Sequence, residues 1–195
     1  MHEVLRHKDR TSELAELHAR IAELERRCAE LDRRCAELDR LAHCDTLVPG
    51  PNRRGFLRQL ELTIARFKRY RDPAAVLFVD LDGLKMLNDC FGHPAGDAAL
   101  IHVAALLSRG VRESDCVGRL GGDEFVVLLD HADAATAEET ARRLVDTIAD
   151  EEFFVAGRPV PLSVAIGFTV IEADDTPSAI LARADAAMYQ GKAAA

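Results

Sequence analysis

The chain has 195 residues, 48% hydrophobic and 30% charged, which supports a packed core and excludes wholesale disorder. Its 33 acidic and 25 basic residues leave a formal net charge of −8, which argues against a nucleic-acid polymer or an anionic lipid surface as partner, since both need a basic footprint. No stretch approaches the roughly 18 apolar residues of a membrane span, and residues 1–8 (MHEVLRHK) are too polar for a signal peptide, so a reducing cytoplasm is the expected setting.

The first predicted element is a long helix. Leu14, Leu17, Ile21, Leu24, Cys28, Leu31, Cys35 and Leu38 recur at alternating spacings of three and four. They form a heptad seam with Leu14, Ile21, Cys28 and Cys35 at a and Leu17, Leu24, Leu31 and Leu38 at d. The block RRCAELD at 26–32 repeats unchanged at 33–39, and no Gly or Pro interrupts residues 1–48. The g-position Arg20, Arg27 and Arg34 are each followed five residues later by an e-position acid, Glu25, Asp32 and Asp39. In a parallel pair of helices g of one chain meets the next e of the other, so all three pairs attract and a parallel homodimer is expected. A solvated single helix or an intramolecular antiparallel pair is the plainer alternative. The five cysteines, Cys28, Cys35, Cys44, Cys90 and Cys116, include no Cys-x-x-Cys pair and read neither as a disulfide framework nor as a zinc site. Cys28 and Cys35 read first as small buried thiols of the seam, with crosslinking on oxidation as the other reading. The coil should stop near Ala42, and Val48-Pro49-Gly50-Pro51-Asn52 cannot continue it. The expected division is a dimerisation helix over 1–45 and a second domain over 46–195.

The second part predicts an α/β (α+β) domain. Helical periodicity runs over 53–71. An apolar run at 74–79 (AAVLFV) reads as a buried strand. Short helices follow at 84–91 and 98–107, separated by a Gly92-His93-Pro94 turn. Strands at 116–120 and 125–129 flank Gly121-Gly122-Asp123-Glu124, a hairpin signal. A helix over 135–148, a small hairpin around Gly157, a strand over 162–171 and a helix over 177–190 complete the chain. The hairpin between central strands argues for a mainly antiparallel sheet flanked by helices, of βααββαβ order.

Two clusters carry the chemistry. Asp80-Leu81-Asp82 ends the buried strand, and Asp123-Glu124 sits at the hairpin tip. If the strands are neighbours, the acids converge. Clustered carboxylates repel unless protonated or bridged by a hard cation, and Mg²⁺ prefers such oxygens. Plain turn formers and solvated strand ends are the alternative, and for Asp82 alone that reading is preferred. Gly121 and Gly122 allow a backbone to approach a ligand closely. Asn88 and Asp97 flank the Gly-His-Pro turn, and a carboxylate at Asp97 would accept from the N1–H and amino group of guanine.

Four segments together resemble the GGDEF family of diguanylate cyclases: RLGGDEF at 119–125, DLDGLKMLND at 80–89, FGHPAGD at 91–97 and ADAAMYQGK at 184–192. The resemblance covers about residues 41–192. It implies a polymerase-palm-like fold that condenses two GTP into cyclic di-GMP with release of pyrophosphate. It implies that Asp80 and Asp123 bind two Mg²⁺ or Mn²⁺ ions, with the Leu81 carbonyl assisting, and that Glu124 supports the metal site and the attacking 3′-hydroxyl. Asn88 and Asp97 would read guanine. Lys192 and the amides after Asp82 would hold the β- and γ-phosphates, and Leu84, Lys85 and Phe125 would complete the substrate site. Two domains must face each other, which gives the coil a use: it raises their effective concentration. Arg112-Glu113-Ser114-Asp115 matches the family's RxxD site for inhibition by cyclic di-GMP, with Arg112 and Asp115 as its ligands.

Three positions depart from the family pattern. The entrance reads Asp45-Thr46-Leu47-Val48-Pro49-Gly50-Pro51-Asn52-Arg53 where the family has Asp-x-Leu-Thr-Gly-Leu-Pro-Asn-Arg. Leu84 replaces a common Phe. The phosphate-contacting Arg usually found beyond Lys192 has no counterpart, which would weaken GTP binding unless a partner compensates. An inactive module that binds cyclic di-GMP or GTP and signals through the coil, and an adaptor whose domain only scaffolds, are the competing readings.

Overall fold

The computed structural model describes the backbone of residues 2–194 and the side chains of 17, 18 and 20–193; Met1, Ala195 and the side chain of the seam residue Leu14 lie outside the described residues. The chain divides into two compact units, 1–42 and 43–195.

The first unit is one uninterrupted helix, α1 (His2–His43). Its described seam residues Leu17, Ile21, Leu24, Leu31 and Leu38 are between 51% and 65% exposed. No described helix is long and apolar enough to cross a membrane.

The second unit runs α2 (Arg53–Tyr70), β1 (Ala74–Leu81), α3 (Leu84–Phe91), α4 (His93–Arg109), β2 (Cys116–Gly121), β3 (Glu124–Asp130), α5 (Ala134–Asp150), β4 (Phe154–Val155), β5 (Arg158–Pro159), β6 (Val164–Val170) and α6 (Pro177–Ala194). Four strands form one sheet in the order β2-β3-β1-β6, antiparallel throughout. The pleat of β1 divides the core. Ala75, Leu77, Val79 and Leu81 face Val103 and Leu107 of α4 and Leu144 and Ile148 of α5. Ala74, Val76 and Phe78 face Phe56 and Leu60 of α2 and Ile180, Leu181 and Ala184 of α6. Both faces are therefore covered by helices, and β1 is apolar along its whole length until Asp80.

Helix ends follow local chemistry. Asn52 caps α2 by accepting from the Gly55 amide at 3.0 Å, and Asp133 caps α5 by accepting from the Thr136 amide at 2.9 Å. One expected turn is not there. Gly92 stops α3, but His93 and Pro94 already belong to α4. Proline lacks only an amide that the first helical turn leaves unpaired anyway, so it starts this helix instead of breaking it.

Candidate active site

The pleat that divides the core also aims the acids. Asp80 follows Val76 and Phe78 at period two, and Glu124 precedes Val126 and Leu128, so both carboxylates stand on the α2/α6 side of the sheet. The two residues are direct partners across β1 and β3. Between the hairpin strands the register slips at Leu120, and Gly121 pairs with Glu124, which leaves Gly122-Asp123 as the tip. Gly121 and Gly122 have φ of 144° and 55°, and a Cβ on either would meet nothing within 4 Å. The tip thus presents open backbone that a ligand can approach. It is also anchored: the Asp123 carbonyl accepts from the Leu81 amide at 3.1 Å. The Arg119 guanidinium donates twice to the Gly122 carbonyl, at 3.1 and 2.7 Å.

Arg119 reaches the domain entrance as well, 3.4 Å from the Asp45 carboxylate. Asp45 accepts from the amides of Leu47 and Val48 at 2.8 and 3.0 Å. Burial works to raise its carboxyl, but the Val48 and Leu47 amides and then Arg119 outweigh it and hold the group below the usual aspartate range. The altered entrance sequence is an ordered turn, closed further by Asn52 N–H to the His43 carbonyl and Asp45 N–H to the Gly50 carbonyl, both 3.0 Å.

Glu124 lies among several charges. Burial first, then Asp123, and beyond those Asp185 and Asp80, push its carboxyl above the usual glutamate range, with Arg53 pulling the other way. Lys192, from the end of α6, places its ammonium on Asp80 and, at 2.7 Å, on Asp82. Those two carboxylates hold Lys192 above the usual lysine range. Asp82 is itself fixed by the Ser163 hydroxyl at 2.9 Å. The amides at the start of α3 have no side-chain cap, so the first helical turn offers free N–H donors beside Lys192's carboxylate partners.

Asn88 packs over α4 so closely that a Cβ at Gly96 would lie 2.0 Å from its Oδ1. That oxygen is buried and accepts no hydrogen bond, which is an unmet acceptor next to the exposed Asp97. Lys85 is exposed and Leu84 half-buried on α3. Phe125 stands apart from these residues. It is fully buried among Leu77, Val79 and Val103, because it stands one residue from Glu124 and so points to the opposite face of the sheet.

Among the described residues no three His, Cys, Asp or Glu side chains close into a metal cluster. The donor set nevertheless fits a hard cation: all its atoms are oxygens, Asp80 and Glu124 are opposed across neighbouring strands, and a cation, the Lys192 ammonium, already stands against Asp80. An incomplete oxygen set suits Mg²⁺, which keeps positions for phosphate and water.

The RxxD loop lies elsewhere. It borders a cavity of about 280 Å³ lined by Arg109, Arg112, Asp115, Thr136, Thr140 and Arg143, among others. Both oxygens of Asp115 accept backbone amides, Oδ2 from Arg112 at 2.9 Å and Oδ1 from Asp130 at 3.0 Å. Asp115 thereby shapes the loop, while the Arg112 side chain stays exposed. Sequence reasoning missed Arg143, although Thr136, Thr140 and Arg143 fall on one helical stripe at i, i+4 and i+7. It also missed Arg53 and Asp185 beside Glu124. Asp185 stands two turns before Lys192 on α6, a spacing that would have flagged it.

The model of the family described as "Diguanylate cyclase, GGDEF domain" matches residues 42–195. The chain is 40% identical over 153 residues to the diguanylate cyclase TpbB of Pseudomonas aeruginosa strain UCBPP-PA14, which covers 77% of this chain and 35% of that protein. It thus spans about a third of that curated relative's length. The solved GGDEF domain of TpbB (YfiN) from P. aeruginosa PAO1 is 39% identical and matches with a TM-score of 0.74 over 78% of this chain and 90% of that one. The coiled coil and GGDEF domain of DgcB from Caulobacter crescentus, solved in complex with c-di-GMP, matches with a TM-score of 0.85 over 91% and 95% of the two chains at 23% identity, a likeness of fold.

Proposed function

The chain belongs to the GGDEF family of diguanylate cyclases, and from that premise we propose that it condenses two GTP into cyclic di-GMP and two pyrophosphates between two facing copies of the 46–195 domain, brought together by a parallel coiled coil of residues 1–45, in the cytoplasm. The observation that carries the reading is the pairing of Asp80 with Glu124 at the sheet end, under a hairpin tip whose glycines leave room for a nucleotide.

Each residue has a task in this scheme. Asn88 Oδ1 and the Asp97 carboxylate receive the donors of the guanine edge, which satisfies the unmet acceptor on Asn88. Lys192 exchanges its carboxylate partners for the β- and γ-phosphates, joined by the free amides at the start of α3 with Leu84 and Lys85 alongside. Asp80, Asp123, Glu124 and the Leu81 carbonyl would hold the two Mg²⁺ or Mn²⁺ ions. Such ions, when bound, neutralise phosphate charge and acidify a hydroxyl nucleophile. Glu124, held above the usual range, is suited to take the proton from the 3′-hydroxyl presented by the facing copy. Gly121 and Gly122 let the α-phosphate reach the strand end, and Arg119 keeps the tip in place. The product would inhibit by binding the cavity of Arg112, Asp115 and Arg143, where the guanidinium forks suit phosphate.

The test is the purified chain, stripped of bound nucleotide, given GTP with Mg²⁺ or Mn²⁺, and its products separated by chromatography. Cyclic di-GMP is the expected product. Its absence, with binding of cyclic di-GMP retained, would replace the enzyme by a binding module.

A further inference from the structure

The outer face of α1 settles its charges within one chain. Arg26 pairs with Glu23 at 2.5 Å, Arg33 with Glu30 at 2.8 Å and Arg40 with Glu37 at 2.9 Å, all between heptad positions f and c. Beside the seam the pattern is mixed: Arg34 at g pairs with Glu30 at 3.0 Å within the chain. Arg27 at g, and Glu25 and Asp32 at e, take no ion pair within the chain among the described residues. These are the charges that a parallel second copy would satisfy. The same copy would cover the exposed seam leucines. Cys28 and Cys35 lie on that seam as free, exposed thiols, one heptad apart between Leu24, Leu31 and Leu38.

Register decides what these thiols meet. A disulfide needs Cα atoms about 4.4–6.8 Å apart. In a parallel, in-register pair each a position faces its own counterpart, so Cys28 meets Cys28 and Cys35 meets Cys35. A slip by one heptad, which the repeated RRCAELD block would tolerate chemically, sets Cys28 against Cys35 and uncovers one heptad of seam. The other cysteines are differently placed. Cys44 and Cys116 are half-buried, and burial pushes the Cys116 thiol up and out of reach of mild oxidants. Cys90 is exposed on α3 and serves as an internal control.

We propose that Cys28 and Cys35 are reversible modification sites, closed by a small-molecule disulfide into two homotypic interchain disulfides that lock the coil covalently. The proposal rests on the reading of the coil as a parallel dimer. In the first step a Cys28 thiolate attacks one sulfur of the small disulfide and expels one small thiolate. In the second, the Cys28 thiolate of the other copy attacks the Cys28 sulfur and expels the other. Two cysteines lose two electrons, one small disulfide gains them, and its two thiols carry away both protons. Locking matters because a linked pair keeps its domains at a fixed effective concentration, whatever the bulk concentration.

The full chain treated with oxidised glutathione should migrate as a dimer on a non-reducing denaturing gel and return to monomer with dithiothreitol. Peptide mapping should give only Cys28–Cys28 and Cys35–Cys35 links. The double variant Cys28→Val/Cys35→Val should give no linked dimer yet still sediment as a dimer, since Val suits position a. On dilution about 100-fold, oxidised protein should keep its cyclase rate per molecule and reduced protein should lose it. A reduced chain that sediments as a dimer but yields no linked band, or links through Cys90, overturns the lock and leaves the dimer standing. Links between Cys28 and Cys35 overturn the in-register seam. A chain that sediments as a monomer overturns both. The gel and sedimentation arms decide without any catalytic activity.

Discussion

Glu124 stands between opposing influences, and its behaviour should show in pH profiles. Burial and the acids around it hold its carboxyl above the usual 4.5, so it protonates at a pH where an ordinary glutamate is still charged. A rate that needs the carboxylate falls as pH drops through that raised value. Removing the Asp185 charge removes one cause of the rise, so in the metal-free protein Asp185→Asn should lower the pH at which Glu124 titrates, followed by carboxyl NMR, and an unmoved titration would show that Asp185 does not act on Glu124. Glu124→Gln, which cannot take a proton, should cost about 10²-fold or more in kcat. At the other cavity, Arg112→Ala and Arg143→Ala should each raise the cyclic di-GMP concentration needed for half-inhibition; unchanged inhibition in both would reject that site. The strand end and hairpin tip that carry the signature acids were legible because both patterns are local. Strand parity separates Phe125 from Glu124, and only a reading of faces tells the two apart.

Between elements, one close joint is β6 against α6. A Cβ at Gly167 would lie 2.0 Å from the Met188 amide nitrogen and 2.5 Å from the Ala184 carbonyl oxygen. These are backbone atoms, so the helix must move as a body. Gly167→Ala should cost roughly 3 kcal/mol, read as a lower urea midpoint, and should raise the KM for GTP because Lys192 rides on the same helix. The start of α6 is pinned differently. The nearly buried Asp175 takes Arg183 and the Glu172 amide, the latter at 2.7 Å. The hydrogen bond from Arg183 is the main cause that holds its carboxyl below the usual 3.8. A depressed carboxyl contributes stability above its unfolded value and loses it as pH falls through the folded one. Asp175→Asn should therefore lower stability near neutrality and flatten its acid dependence below about pH 4, as followed by thermal melts across pH. Neither joint was legible beforehand. Gly167 looks like any strand glycine, and Asp175 lies in a loop whose partner is eight residues on. What Gly167 contacts depends on how α6 packs on β6, and what Asp175 contacts on how its loop folds back onto the same helix, neither of which a strand or helix period encodes.

For the whole molecule, the antiparallel sheet and its flanking helices followed from three local signals: the apolar run of β1, the Gly-Gly hairpin and the helical periods around them. The α4 start was lost because Pro94 breaks a helix interior but not a first turn. In the coil, Leu24→Lys or Leu31→Lys puts a charge on the seam. Sedimentation should then shift toward monomer, and the cyclase rate should come to depend on the square of protein concentration. A rate that stays linear in concentration would mean that the coil does not assemble the site.

The two-ended grip of Arg119 has a practical reading for anyone who builds chimaeras. The carbonyls of His43 and Cys44 and the carboxylate of Asp45 serve Asn52 and Arg119, and Arg119 in turn carries the Gly122 carbonyl. A splice made at the first residue of α2 would look clean on a diagram of helices and strands, yet it would strip the hairpin tip of one of its braces. A foreign input segment should be grafted upstream of His43, so that the ten residues that follow travel with the domain as its own hinge plate.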